Sequence, residues 1–203
     1  METIFDMETV ALDDEDSALL ILDQTQLPGR REILRLKDQK SIWDAIYLLQ
    51  VRGAPAIGVS AAFGIYLAAK EINETDFDAF YTKFEAARDY LDSARPTAVN
   101  LSWALRRMDG VVRANKEKPI EEIKKLLLRE ANEIKAEDIR VCRAIGENGL
   151  ALLKPGMGLL THCNAGQLAT AKYGTATAPM YLGQERGYGF HVFCDETRPL
   201  LQG

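Results

Sequence analysis

Between Gly53 and Ala69 the chain runs for 17 residues without a charge, in a stretch rich in glycine and alanine. Such a segment has no polar side to offer water, so other elements must surround it. Spanning a bilayer would do this too, but 17 residues is at the short limit and the stretch is poor in leucine. The expectation is a buried core helix from about Pro55 to Glu71, with Pro55 in its first turn. Ala54, Gly58, Ala61 and Ala62 give it a face of small residues that lets another element come close.

The neighbours that could bury it are legible on both sides. Ser41 followed by Asp44 marks an N-cap and a helix to about Gln50. Further helices are expected from Asp76 to Asp92, from Ala98 to Asn115 and from Pro119 to Glu147. The last carries apolar residues at 120, 123, 127, 131, 134, 141 and 145, near helical spacing. The first 37 residues read as a β-meander: Ala18–Asp23 is a buried strand and Leu27–Arg30 a turn. Arg31–Lys37 then alternates, with Ile33, Leu34 and Leu36 toward the core.

Lys154-Pro155-Gly156 punctuates the boundary between an N-terminal domain, residues 1–149 (meander 1–37, helices 41–147), and residues 150–203. The second part reads as strand Gly158–Thr161, loop, helix from about Gly174 to Gly187, and strand Gly189–Cys194. That is one βαβ unit with a parallel pair, making the fold class α/β. A charged loop, Asp195 to Gly203, follows the second strand where a further helix is expected, so the sequence reads as the front part of a longer protein.

Composition removes several function classes. A net charge of −5 gives no electrostatic footprint for nucleic acid. Three cysteines, Cys142, Cys163 and Cys194, without CxxC spacing imply neither a disulfide framework nor a metal site, and a reducing cytoplasm is the expected compartment. The acidic N-terminus has no signal-peptide pattern, and no membrane association is expected. Gly156-Met157-Gly158 superficially resembles a dinucleotide fingerprint, but it precedes its strand, and Thr161 stands where the third glycine belongs. No nicotinamide site follows from it.

Three segments carry chemistry. Val51-Arg52-Gly53-Ala54-Pro55 lies just before a helix N-terminus, where free amides and the helix dipole favour an anion. Arg52 adds a forked, permanently charged group, the bland alternative being a solvated surface arginine. Arg95-Pro96-Thr97-Ala98-Val99-Asn100 repeats the arrangement: Pro96 keeps Arg95 out of helical geometry, and Thr97 can cap the next helix. Two such arginines point to a doubly held anion. Cys163, in Thr161-His162-Cys163-Asn164-Ala165-Gly166, stands where a strand runs into a small-residue loop, the usual place for ligands in open α/β sheets. A thiol there serves as acid, base or nucleophile, and a small buried hydrophobe is the equal alternative. His162 is its neighbour on a strand and is not read as its partner. Cys142, Cys194 and His191 are read as structural.

Together these segments, with Glu196-Thr197-Arg198-Pro199-Leu200-Leu201-Gln202-Gly203, resemble the methylthioribose-1-phosphate isomerases, which belong with the initiation factor 2B α/β/δ-like proteins. The motif order matches across essentially the whole chain. The resemblance implies a helical N-terminal domain with a small β-meander, a Rossmann-like C-terminal domain of which this chain holds the beginning, and a homodimer or other self-association. It implies cofactor-free conversion of 5-methylthioribose 1-phosphate, a small sugar phosphate, to 5-methylthioribulose 1-phosphate in methionine salvage, by an enediolate route or a hydride shift. It makes Cys163 the catalytic thiol and Arg52, Gly53, Ala54, Arg95 and Gln202 substrate-binding. The family's catalytic aspartate and its Asn-Lys segment have no counterpart in the sequence, so the chain alone is expected to be inactive. Ribose-1,5-bisphosphate isomerase and a non-enzymatic initiation factor 2B-like subunit are the alternatives.

Overall fold

A computed structural model describes residues 8–198. Strands β1 (Val10–Asp13), β2 (Ala18–Leu22) and β3 (Ile33–Leu36) form an antiparallel sheet in chain order, with Val10 opposite Ile21 and Leu22 opposite Ile33. The period of two places Leu34 and Leu36 against the core, which leaves Ile33, expected inside, 45% exposed.

Helix α1 (Gln39–Tyr47) starts before the expected Ser41 cap, because the Asp38 carboxylate takes the Ser41 amide at 2.8 Å. It ends short of Gln50, since Leu49 turns to φ +62°. Helix α2 (Ala54–Glu71) is the uncharged stretch, with 13 of its 18 residues buried, including Phe63 and Ile65. Its small face does what small residues permit: a Cβ on Gly58 would lie 3.1 Å from the Asn100 carbonyl oxygen. Among the described residues no helix is long and apolar enough to cross a membrane.

Helices α3 (Phe77–Asp92), α4 (Val99–Ala114) and α5 (Ile120–Leu150) enclose α2. Asp76 caps α3 through the Ala79 amide at 2.9 Å. Ala98 rather than Thr97 holds the cap position of α4, and no side chain caps it. Along α5 the buried stripe follows the expected Ile120, Ile123, Leu127, Ala131 and Ile134, then changes face. Val141 and Ile145, expected inside, are 51% and 39% exposed, while Cys142, Gly146 and Leu150 are buried. The cause is a change of partner: α6 (Ala178–Glu185) lies so close that a Cβ on Gly146 would meet Leu182 at 2.6 Å. Cys142, Leu150, Tyr173, Ala178 and Leu182 form a second, smaller apolar cluster there.

Strands β4 (Gly158–Thr161) and β5 (His191–Cys194) pair in parallel, Thr161 opposite Cys194, with a short 3₁₀ turn (Gln167–Ala169) and α6 between them. α6 begins later than the expected Gly174, because residues 174–177 bond back to the loop that follows β4. Cys194, read as core, is exposed, as is all of β5: among the described residues this sheet has two strands only, and α6 does not cover them. His191 is exposed as well, its ring edge-on to Phe193 at 4.5 Å.

Burial therefore predicts where mutation is felt. Phe63→Ala, at a side chain 1% exposed, should lower the unfolding free energy by about 3–5 kcal/mol in urea titrations. Val192→Ala on the open sheet should change it by less than about 0.5 kcal/mol.

Candidate active site

Arg52 is 6% exposed, so it is not the solvated arginine that its place before a turn allowed. The meander's exit holds it: the guanidinium donates to the Gln24 carbonyl at 3.1 Å. Gln24 is itself fixed, its amide donating to the Gln50 carbonyl at 2.9 Å, while the Gln50 side chain donates to Asp23 at 3.1 Å. Burial pulls the Arg52 pKa down from its ordinary value, and the nearby Asp23 charge opposes that shift. A buried guanidinium with an acidic neighbour is held in one geometry and keeps its charge.

Gly53 follows at φ +98°, and it is the cap residue of α2, with no side chain closing the helix end. Its missing side chain is a second requirement. A Cβ there would lie 2.3 Å from the Cα of Ala169, in the 3₁₀ turn after β4. The backbone of the thiol-bearing loop therefore touches the backbone of the Arg52 loop, which only glycine permits. Two further bonds seal the contact: Thr9 donates to the Gln167 carbonyl at 3.1 Å and Gln24 to the Leu168 carbonyl at 2.7 Å. Ala54, next in the chain, is exposed at the first position of α2.

Arg95 is half-buried, and its carbonyl accepts the Ala98 amide at 2.9 Å in the turn that starts α4. The Gly58–Asn100 approach seats that helix start against the first turns of α2. A cleft of about 230 Å³ opens where these elements meet, bounded by Pro55 and Val59 of α2, Asn100 and Trp103 of α4, Asp138 of α5, and Thr175 of the loop after β4. The segments after Arg52 and Arg95 thus border one cavity through Pro55 and Asn100, and the loop after β4 reaches it at Thr175, while Arg52, Arg95 and Cys163 themselves are not among its lining residues.

Cys163 stands farther off, exposed at the end of β4, with φ +68°. A non-glycine residue in the left-handed region is uncommon, and such positions gather at functional sites where the surroundings hold the strain. The loop does hold it: Thr175 donates its amide to the Ala165 carbonyl at 2.9 Å, and Thr177 its hydroxyl at 3.3 Å. His162 pairs through Nδ1 with the Asp195 carboxylate, across the ends of the parallel strands, rather than with the thiol. Gln202 lies outside the described residues. Among the described residues no group of three or more His, Cys, Asp and Glu could hold a metal ion.

Sequence reasoning missed the residues that do the holding. Asp23, Gln24 and Gln50 fix Arg52 through contacts remote in sequence, and no local signal marks them. Asp138 had a signal: it falls on the buried stripe of α5, one turn from both Ile134 and Cys142, where a carboxylate is out of place. Burial raises its pKa above the ordinary carboxylate value, although the hydrogen bond it accepts from the Ala171 amide at 2.6 Å works the other way. Burial, with the Asp138 charge, also pushes the Cys142 thiol up to about 12.

The chain is 59% identical over 197 residues to the methylthioribose-1-phosphate isomerase of Symbiobacterium thermophilum, covering 97% of this chain and 55% of that protein. It is 54% identical over 191 residues to the 5-deoxyribose 1-phosphate isomerase of Clostridium botulinum, covering 94% of this chain and 55% of the relative. The chain therefore spans about half the length of the curated relatives it matches. Among solved structures, 5-methylthioribose 1-phosphate isomerase from Pyrococcus horikoshii superposes with a TM-score of 0.90 at 37% identity, over 97% of this chain and 54% of that one. The delta subunit of translation initiation factor eIF-2B from A. fulgidus gives 0.85 at 40% identity, over 97% and 56%. The model of the initiation factor 2 subunit family matches residues 50–203, and the chain belongs to that family.

Proposed function

We propose that this chain carries part of the active site of a cofactor-free aldose–ketose isomerase that converts 5-methylthioribose 1-phosphate to 5-methylthioribulose 1-phosphate in methionine salvage. The observation that supports it most is the cleft bordered by Pro55 in the helix start after Arg52, Asn100 in the helix start after Arg95, and Thr175, whose amide bonds to the Ala165 carbonyl two residues from Cys163. In this reading Arg52, Gly53, Ala54, Arg95 and Gln202 hold the substrate. A phosphate ester blocks the anomeric oxygen, so the ring opens only with help, and hydrogen must then pass from C2 to C1. Cys163 serves that step as acid or base.

The cleft argues against ribose 1,5-bisphosphate. Its walls carry Val59, Ile134 and Val141 together with the Glu137 and Asp138 side chains, poor company for a second phosphate. The exposed, left-handed Cys163 speaks for catalysis over a purely regulatory role. Self-association, as a homodimer or otherwise, fits Leu160, Val192 and Phe193, which leave the β4–β5 sheet with exposed apolar side chains. The cytoplasm suits three free thiols.

The test joins this chain to the remainder of the Symbiobacterium relative and assays isomerisation of 5-methylthioribose 1-phosphate. Turnover should fall about a hundredfold or more in Cys163→Ser, the range for a positioned acid or base. Arg52→Ala and Arg95→Ala should each weaken substrate binding about tenfold or more, as expected when a charge-assisted hydrogen bond is lost. Normal turnover in Cys163→Ser would remove the thiol from the mechanism.

A second test needs no substrate. With iodoacetamide at pH 8, the exposed Cys163 and Cys194 should alkylate in the native chain, read by peptide mass spectrometry. Cys142, buried and with a pKa of about 12, should stay unmodified until the chain is denatured.

A further inference from the structure

A buried hydroxyl is one of the ties within the loop after β4. Thr170, fully buried, takes the Gly174 amide at 3.0 Å and donates to the Lys172 carbonyl at 3.1 Å. Next to Gly174, Thr175 donates to the Ala165 carbonyl at 2.9 Å, and Ala165 is two residues from Cys163. Gly174, at φ +74°, has no room for a side chain: a Cβ would lie 2.5 Å from that same carbonyl oxygen. Residues 170–175 and Ala165 are thus joined by consecutive hydrogen bonds that end two residues from the thiol.

The piece is fastened to the helical body at successive points. Thr9 and Gln24 donate to the carbonyls of Gln167 and Leu168, and Ala169 rests on Gly53. The next fastening is of a different kind: the Asp138 carboxylate accepts the Ala171 amide at 2.6 Å, and the Cys142 thiol approaches its other oxygen at 3.8 Å. Asp138 is the one charged group of this set. It projects from a stripe of α5 whose neighbours Ile134 and Cys142 are 2% and 1% exposed. A carboxylate at such a place is costly to desolvate, and its hydrogen bond to a loop amide is what offsets the cost.

We propose that Asp138 is a positioning residue: by fixing the Ala171 amide to α5 it holds the loop as a unit and sets where Cys163 stands at the end of β4. The inference rests on the reading of Cys163 as the reacting thiol, but its test is independent of any sugar phosphate.

The test uses the whole chain and two readouts, amide hydrogen exchange at Ala171 and the iodoacetamide rate of each cysteine. In the wild-type protein the Ala171 amide should exchange at least about tenfold more slowly than a free loop amide, the factor one charge-assisted hydrogen bond supplies. Asp138→Ala should remove that protection and change the Cys163 alkylation rate, while Cys194, on the neighbouring strand, keeps its rate. Asp138→Asn retains a carbonyl oxygen that can accept the amide, and it should restore both values. An unprotected Ala171 in the wild type overturns the proposal, and this holds even if Asp138→Ala does not fold. An unchanged Cys163 rate in a folded Asp138→Ala overturns it too, as does a parallel change at Cys163 and Cys194, which marks general loosening. Normal turnover in Cys163→Ser would overturn the catalytic reading and leave the exchange result at Ala171 standing.

Discussion

The burial of α2 on every side is the constraint from which the rest of the architecture follows. A helix with no polar face must be covered by separate elements, and here the meander, α1, α3, α4 and the first half of α5 do so. Coverage by α4 is close because Gly58 lets the Asn100 backbone approach, which brings the starts of α2 and α4 side by side. The dipoles of both helix starts, neither closed by a side-chain cap, then serve one region of space. Packing of an apolar core has thus assembled an electrostatic feature.

The second half of the arrangement rests on backbone-to-backbone contact. Gly53 and Ala169 meet where no side chain fits, and the loop between β4 and α6 is locked by Thr170, Gly174, Thr175 and Thr177. A loop so tightly bonded can hold Cys163 at a positive φ, a conformation it would not keep in a free segment. Rigidity at that point would serve the acid–base role proposed for Cys163, because a group misplaced by one ångström loses most of its effect.

What the sequence revealed divides along local and remote causes. The uncharged run of α2 and the Asp76 cap of α3 are set by adjacent residues, and both helices were legible close to their true limits. The positions of the loops that carry Arg52, Arg95 and Cys163 were legible too, because arginine before a helix start and a thiol after a strand are local patterns. The rest depended on partners far along the chain. The inward face of α5 turns at Ile134 because α6 replaces α2 and α4 as its neighbour, so Val141 and Ile145 kept the period yet lost the core. The late start of α6 follows from bonds to Ala165, and the exposure of Cys194 from a sheet with two described strands. The burial of Arg52 depends on a carbonyl 28 residues earlier, a separation no periodicity shows.

The central claim is that the loops carrying Arg52, Arg95 and Cys163 serve one ligand. Titrating 5-methylthioribose 1-phosphate into isotope-labelled chain and following backbone amide resonances tests this directly. The account predicts that Gly53, Ala54, Asn100 and Asn164 shift together along one saturation curve, with weaker binding as ionic strength rises. Shifts confined to one loop, or separate curves for the arginine-bearing and thiol-bearing segments, would contradict it.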